Sequence, residues 1–334
     1  MLRRMFGAVA CSAAAYFAVA MGTTGAAHAD FGHPVPGQAT LQSPATPIME
    51  QIVSLYNVVN ITIIAITIFV LLLMLYVMYR FSEKNNPTPS RNAHHTLLEV
   101  AWTIVPILIL VGLAIPSFRL LYDQYSFPKP DLTIKATANA WFWEHEYLLD
   151  KQEGMKNVTI TSNSVGDEDL LKAKLGDDAF GEKYGSLEGI ARHKALYADS
   201  HSLWAESLAP RKLAVDQAIA VPVGKVVHLL VTSNDVIHSW TIPSFGSKMQ
   251  AVPGRTAATW FQPTKIGTYY GQCSVLCGKL HSAMPISVHV VEQAVYDKWM
   301  AALQAKDKKG AAQILKDEEA ARTPAAKPVA QLAN

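Results

Sequence analysis

Four side chains that bind soft metal ions lie within twelve residues of one another late in the chain. They are Cys273, Cys277, His281 and Met284. Thiolates and thioethers are soft ligands that favour copper over hard cations such as magnesium. One more imidazole would complete a set of nitrogen and sulfur ligands. His238 is the candidate, because it follows a predicted strand, where a loop can be held rigidly beside another loop.

The two cysteines have other interpretations. They could form a structural disulfide in an exported domain. They could instead hold zinc together with His281 and His238, which gives two sulfur and two nitrogen ligands. A single blue-copper site fits less well, because it needs one thiolate rather than two. Spacing alone does not separate a disulfide from a metal site, but Met284 and the apolar segments described next favour copper.

Two apolar segments lie within an N-terminal region that spans residues 30–125. They cover residues 52–79 and 98–122, and each is long enough to cross a bilayer. Pro106 and Pro116 interrupt the second segment, which membrane helices tolerate better than soluble helices do. The pattern predicts a membrane α-helical hairpin, and a long helix in a soluble core is the less favoured interpretation.

The short loop between the two segments is basic. It carries Arg80, Lys84 and Arg91 against Glu83. Cytoplasmic loops are enriched in Lys and Arg, so this loop is expected in the cytoplasm and both flanks outside it.

Residues 1–29 resemble a secretory signal peptide. Arg3 and Arg4 precede an apolar, Ala-rich run, and Ala27-His28-Ala29 offers a cleavage site before Asp30. A first transmembrane helix is the alternative. Removal of this segment would also remove Cys11, and the mature chain would keep only Cys273 and Cys277.

Short strand-like runs separated by Gly, Pro and Asn begin after residue 127 and predict a β-sandwich or small barrel over residues 127–304. The predicted strands are Leu132–Ala138, Val158–Ser162, Lys212–Val221, Val226–Thr232, Ala257–Phe261, Gly267–Gly271 and Pro285–Val291. Residues 164–209 interrupt them with a helical pattern and are treated as an insertion. Residues 305–334 are rich in Ala, Lys and Pro, and we expect a disordered tail. A formal charge of +2 gives no argument for a nucleic-acid partner.

The segment Gly271–Pro285 resembles the copper A motif of cytochrome c oxidase subunit II, whose usual form is Cys-Ser-Glu-Leu-Cys-Gly-x-x-His-x-x-Met. The similarity runs from about residue 45 to 302 outside the insertion. Further segments resemble the family in the same order; they are Leu98–Pro106, Ala140–Tyr147, Asp235–Trp240 and Pro253–Arg255.

This resemblance implies a membrane α-helical hairpin followed by an all-β cupredoxin-like Greek-key sandwich with a dinuclear copper centre. Cys273 and Cys277 would bridge the two coppers. His238 and Met284 would complete one copper. His281 and the backbone oxygen of Val275 would complete the other.

One position departs from the family motif, which has Glu where this chain has Val275. A backbone oxygen is available from any residue, so the departure leaves the copper ligand in place. In the family, the Glu side chain also reaches a magnesium or manganese ion at the border with subunit I. Valine offers no side-chain oxygen to a hard cation. We therefore expect this second metal site to be weakened or absent.

The resemblance also implies roles for four other residues. Trp141 matches the tryptophan where electrons enter, although an ordinary core aromatic is the alternative. Glu146 and Asp235 match acids that dock the lysine face of cytochrome c. Glu99 matches the entrance of a proton channel, while Thr96-x-x-Glu99 also has the form of a helix capping box.

The implied function is that of subunit II in a proton-pumping respiratory complex. The chain would accept electrons from cytochrome c and pass them to the haem and copper of subunit I. Implied partners are subunit I, subunit III, cytochrome c and membrane lipid. The implied location is a bacterial inner membrane, with the large domain in the periplasm. The alternative is a membrane-anchored periplasmic copper-binding or copper-delivery protein.

Overall fold

A computed structural model describes residues 32–35, 37–149, 154–207 and 209–322. The signal peptide expected over residues 1–29 and the end of the tail, residues 323–334, lie outside the described residues.

Two long helices form the N-terminal hairpin. Helix α1 covers Pro47–Arg80 and helix α2 covers Thr96–Tyr125, so each extends a few residues beyond the predicted segment. Both are long and apolar enough to cross a membrane, and the residues of their most apolar windows are not buried within the chain. These faces are therefore free to contact lipid or another subunit.

The first turn of α1 is attached to the β domain. The Thr46 hydroxyl accepts a hydrogen bond from the Met49 N–H at 3.1 Å, which caps the helix. The same hydroxyl donates to the Phe245 carbonyl at 2.8 Å, and Thr46 is fully buried. The outer end of the hairpin is thus fixed against the domain that carries the predicted metal site.

The predicted capping box at the start of α2 is wrong by one residue. His95, not Thr96, is the N-cap, and its Nδ1 accepts from the Leu98 N–H at 3.3 Å. The Glu99 carboxylate accepts from the His95 N–H at 3.1 Å. An imidazole nitrogen can accept a hydrogen bond as a hydroxyl does, so the helix begins earlier than the Thr pattern indicated.

Among the described residues, ten strands build the β domain in three sheets. Their bounds are β1 Leu132–Asn139, β2 Phe142–Tyr147, β3 Val158–Ser162, β4 Ile219–Pro222, β5 Val227–Ser233, β6 His238–Ile242, β7 Ser247–Ala251, β8 Ala257–Phe261, β9 Gly267–Gln272 and β10 Pro285–Val291. The sheet orders are β3-β2-β1-β5-β8, β4-β10-β9 and β6-β7. Strands β1 and β5 pair in parallel, as do β4 and β10, and the other pairs are antiparallel.

One hydrophobic core lies between these sheets. Strands β1 and β5 alternate buried and partly buried residues, as expected for strands with one face on the core. Strand β10 is buried along its whole length. Trp240 stacks on Phe261 with ring centroids 5.9 Å apart, and Phe245 also stacks on Phe261, with ring centroids 4.9 Å apart. The predicted fold class, a helical hairpin followed by an all-β sandwich, is confirmed.

Some strands differ from the prediction. Strands β2, β6 and β7 were not predicted, and the predicted strand Lys212–Val221 is reduced to Ile219–Pro222. Lys212 has a φ of 73°, which an extended strand excludes. Asp216 instead accepts hydrogen bonds from the Asn163 N–H and side-chain amide at 2.7 and 2.9 Å. These bonds bring the two ends of the insertion together.

The insertion consists of three helices, α3 Asp167–Leu175, α4 Asp177–Tyr184 and α5 Gly189–Glu206. They bury Leu171, Phe180, Tyr184 and Leu196 in a cluster that is separate from the main core. The insertion therefore has a small core of its own.

The prediction of a disordered tail is wrong for residues 308–322. Helix α6 covers Gln293–Gln304 and helix α7 covers Lys308–Arg322. Ala311 and Leu315 of α7 are buried in the main core, and Ile314 packs against it. The Ala- and Lys-rich composition concealed an apolar stripe at helical spacing, which is enough to hold the helix on the domain.

Candidate metal centre

One strand and one loop position the predicted metal ligands. His238 opens β6, and Cys273 and Cys277 lie in the loop that follows β9. The loop is joined to β6 by a hydrogen bond from the Ser274 N–H to the Ser239 carbonyl at 3.3 Å. A side chain at Gly271 would collide with the Thr241 carbonyl, so glycine permits β9 to approach β6 closely here.

The sulfur atoms lie at the centre of the site. The two cysteine Sγ atoms are 3.8 Å apart, and the Met284 Sδ lies 3.6 Å from the Cys277 Sγ. Cys273 is 5% exposed, Cys277 7% and Met284 1%, so all three are shielded from water. A disulfide would place the sulfurs about 2.05 Å apart. Both cysteines are free in the structure, which leaves both sulfurs available to a metal.

Each cysteine sulfur faces a different imidazole. The Cys273 Sγ lies 3.9 Å from the His238 Nδ1, and the Cys277 Sγ lies 3.5 Å from the His281 Nδ1. The backbone oxygen of Val275 lies 3.2 Å from the Cys273 Sγ. The predicted donors therefore surround a shared pair of sulfurs, and His238, Cys273 and Cys277 place their ligand atoms within 4.8 Å of one another.

Asp235 orients one of these imidazoles. Its Oδ1 lies 2.8 Å from the His238 Nε2, which directs the other ring nitrogen toward the thiols. The carboxylate also accepts from the Val236 and Ala140 N–H groups, each at 2.6 Å. Burial opposes ionisation, but these hydrogen bonds prevail and hold the pKa of Asp235 below its usual value. A carboxylate behind a metal-binding histidine fixes its tautomer and orientation. In the sequence, the position of an acid three residues before His238 indicates that it could orient this histidine.

Trp141 is connected to the cysteine loop. Its indole N–H donates to the Cys277 carbonyl at 3.2 Å, and its ring covers Gly278. A Cβ atom at Gly278 would lie 3.2 Å from this ring, which is a tight contact, and the φ of 116° at this position favours glycine. The neighbouring Trp143 is fully buried and donates to the Met284 carbonyl at 3.2 Å. Sequence reasoning did not assign Trp143 a role at the site, because its contact joins residues far apart in sequence.

Comparison with known proteins identifies the family. The model of the cytochrome c oxidase subunit II transmembrane domain matches residues 34–120, and the model of its periplasmic domain matches residues 181–291. Cytochrome c oxidase subunit 2 of Cereibacter sphaeroides is 40% identical over 269 residues, which is 80% of this chain and 81% of the relative. The chain belongs to the cytochrome c oxidase subunit II family.

One further relative and one solved structure are also similar to the chain. The probable cytochrome c oxidase subunit 2 of Rickettsia conorii is 38% identical over 268 residues, which is 80% of this chain and 72% of the relative. The crystal structure of the periplasmic domain of the Bradyrhizobium japonicum subunit II is 34% identical. It covers 54% of this chain and 99% of that chain, with a TM-score of 0.39.

As a cytochrome c oxidase subunit II, the chain is part of a haem–copper oxidase complex, and α1 and α2 are its transmembrane hairpin. The family resemblance and fold class predicted from the sequence are confirmed.

The donors present fit the family's copper centre. Two thiols, two imidazoles, one thioether and one backbone oxygen exceed the four ligands of a structural zinc site. Burial and the neighbouring Cys273 raise the pKa of Cys277 to about 12. A thiolate in this position therefore requires a nearby cation, and metal binding would release its proton.

Two predicted residues lie apart from this cluster. Glu146 is on β2, opposite Lys135 of β1, and is partly exposed. Glu99 lies in the first turn of α2, at the opposite end of that helix from the β domain.

Proposed function

We propose that this subunit accepts electrons from reduced cytochrome c at a dinuclear copper A centre and delivers them to the oxygen-reducing haem and copper of subunit I. The observation that carries the proposal is the convergence of His238, Cys273, Val275, Cys277, His281 and Met284 on one pair of sulfurs.

Cys273 and Cys277 would hold both coppers through their sulfurs. His238 and Met284 would complete one metal, and His281 with the backbone oxygen of Val275 would complete the other. When bound, copper ions that share thiolates accept and release one electron with little change of geometry.

The chain contributes rigidity to this centre. Asp235 holds His238 from behind, and Trp143 donates to the backbone of Met284, so two ligands are fixed by contacts outside the ligand set. A ligand set that is held in place before the electron arrives needs little rearrangement afterwards.

Trp141 is proposed as the position where electrons enter. Its indole is half-buried, so part of it is open to solvent, and it makes a direct hydrogen bond to the cysteine loop. We expect Trp141→Phe to slow reduction by cytochrome c while leaving the copper spectrum unchanged. Rapid mixing with reduced cytochrome c measures this rate, and the same exchange at Trp260, beside the hairpin, is the control. An unchanged rate for Trp141→Phe would exclude this role.

Docking is assigned to Glu146 and Asp235, which would face the lysines around the haem edge of cytochrome c. The Asp235 side chain is 35% exposed, so its carboxylate can orient His238 and still contribute negative charge at the surface.

The second metal site of the family is proposed to be weakened or absent here. Val275 presents its backbone oxygen to the thiols, and its apolar side chain has no ligand for magnesium or manganese. Metal analysis of the purified complex tests this point: stoichiometric, tightly held magnesium or manganese would contradict it.

Glu99 is proposed as the entrance of a proton channel that continues into subunit I. Its carboxylate accepts from the His95 N–H, so it also caps α2. Proton pumping by a Glu99→Gln oxidase separates the two roles, because normal pumping would leave only the cap.

The hairpin loop would lie in the cytoplasm and the β domain in the periplasm of a bacterial inner membrane, with residues 1–29 removed as a signal peptide. Subunit I and subunit III would cover part of the hairpin, and membrane lipid the rest.

A further inference from the structure

A cleft lies where the membrane hairpin meets the β domain, away from the metal ligands. It has a volume of about 460 Å³. Its lining comes from the start of α1, the end of α2, the segment that follows α2 and strand β8, and it includes Gln51, Asp123, Ser126 and Trp260. Helix α2 has 30 residues and is about 45 Å long, whereas the hydrocarbon core of a bilayer is about 30 Å thick. The last turn of α2, which includes Asp123, therefore lies at the outer membrane interface.

Arg119 and Asp123 place opposite charges about one helical turn apart on α2, near this cleft. Asp123 lines it, and Arg119 precedes Asp123 by four residues on α2, which is about 6 Å along the helix axis. Within residues 37–149, 154–207 and 209–322, neither side chain makes an ion pair or a hydrogen bond. The positive charge is nearer the bilayer centre, and the negative charge is nearer the water.

The cleft offers hydrogen-bond acceptors and a fixed aromatic wall. Asp123 and Gln51, which line the cleft, carry side-chain oxygens, and the Ser126 hydroxyl donates to the Tyr122 carbonyl at 2.7 Å, which leaves its lone pairs available. The Trp260 indole N–H donates to the Gln124 carbonyl at 3.0 Å, so the ring is held in place. An indole face and a carboxylate together attract a cation.

We propose that this cleft binds the headgroup of phosphatidylethanolamine. In this lipid the phosphate lies nearer the acyl chains and the ammonium lies beyond it, which is the order of Arg119 and Asp123. The primary ammonium has three N–H donors for the acceptors around Asp123. Phosphatidylglycerol has no cation, and the trimethylammonium of phosphatidylcholine has no N–H to donate. The proposal depends on the transmembrane hairpin and not on the copper centre.

Native mass spectrometry of the full chain tests the proposal. The chain is titrated in detergent with phosphatidylethanolamine, phosphatidylcholine or phosphatidylglycerol that carry identical acyl chains, and the lipid-bound fraction is measured. A hydrogen-bonded charge pair predicts that phosphatidylethanolamine binds about tenfold more tightly than phosphatidylglycerol. Asp123→Asn should remove most of this preference, and Arg119→Gln should weaken binding of both lipids.

Glu83→Gln is the matched control, because it removes one carboxylate at the opposite membrane face. It should bind lipids as the unchanged chain does. Helical circular dichroism of all variants shows that the hairpin is intact. Equal binding of phosphatidylethanolamine and phosphatidylglycerol, or an unchanged preference in Asp123→Asn, would overturn the proposal. Equal binding of phosphatidylcholine would overturn the assignment of a primary ammonium.

Discussion

The metal centre and the helical insertion both gather polar side chains around a partly buried carboxylate, but they differ in how strongly those side chains are hydrogen-bonded to one another. In the insertion, Asp167 accepts from Arg211 through both oxygens, at 2.8 and 2.6 Å, and from Ser200 and Trp204 at 3.0 and 2.7 Å. Hydrogen bonds from Arg211 hold the pKa of Asp167 well below its usual range.

At the metal centre, the carboxylate of Asp235 is satisfied, but the groups beyond it make only weak contacts to sulfur, at 3.2 to 3.9 Å. The two thiols, the Met284 sulfur and the Nδ1 atoms of His238 and His281 face one another without a strong donor–acceptor pair among them. The comparison teaches that a polar cluster closed by charged hydrogen bonds stabilises the fold, whereas the donors of a cluster held only by weak contacts to sulfur remain available to a metal.

The largest expected effect is on copper binding by Cys273→Ser. Changes behind a metal ligand typically cost about 10–100-fold in affinity, so loss of a shared ligand should cost more. Copper content after gel filtration measures the effect, and Ser274→Ala is the neighbouring control. If Cys273→Ser retained as much copper as the control, the distinction between the metal centre and the cluster around Asp167 would fail.

The next effect separates the two acids assigned to docking. Asp235→Asn should weaken copper binding by about 10–100-fold, because His238 loses the carboxylate that orients it. Glu146→Gln should leave copper binding unchanged and slow only the reaction with cytochrome c. Copper titration and rapid mixing measure both variants; identical copper affinities would assign Asp235 to docking alone.

A smaller effect is expected in the insertion. Asp167→Asn keeps some hydrogen bonds but loses the charge, and should reduce the free energy of unfolding of α3–α5 by about 1–2 kcal/mol. Hydrogen exchange across residues 167–206 measures this, with the exposed Asp178→Asn as control. The copper spectrum should not change, and a change there would show that the two clusters are coupled.

The smallest expected effect is the pH dependence of the stability of the insertion. The pKa of Asp167 is lower in the folded chain than in the unfolded chain, so its contribution is complete above an unfolded pKa of about 3.9 and is lost as pH falls toward the folded pKa. Hydrogen exchange in α3–α5 should therefore show loss of protection at acid pH. Asp167→Asn should reduce this dependence, and an equal dependence in both chains would contradict the assignment.

The sequence predicted most of the fold because long apolar runs and short alternating strands follow from local patterning. It did not predict β6, which is short and contains the polar residues His238 and Ser239, because its burial depends on the partner strand β7. Helix α7 was missed because its apolar residues are few, and only packing against the main core shows their purpose.

The sequence predicted the ligands of the candidate site but not the contacts that support them. The ligand types and their spacing are local in the segment from Cys273 to Met284, and only His238 had to come from elsewhere. The hydrogen bonds of Trp141 to Cys277 and of Trp143 to Met284 join residues more than 130 positions apart. Such contacts follow from strand register and not from local pattern.

The central claim is that Cys273 and Cys277 share a pair of coppers. Electron paramagnetic resonance of the copper-loaded full chain tests it most directly. The account predicts hyperfine structure from one unpaired electron distributed over two copper nuclei. The spectrum of a single isolated copper, or a chain that binds no copper and carries a Cys273–Cys277 disulfide, would contradict it.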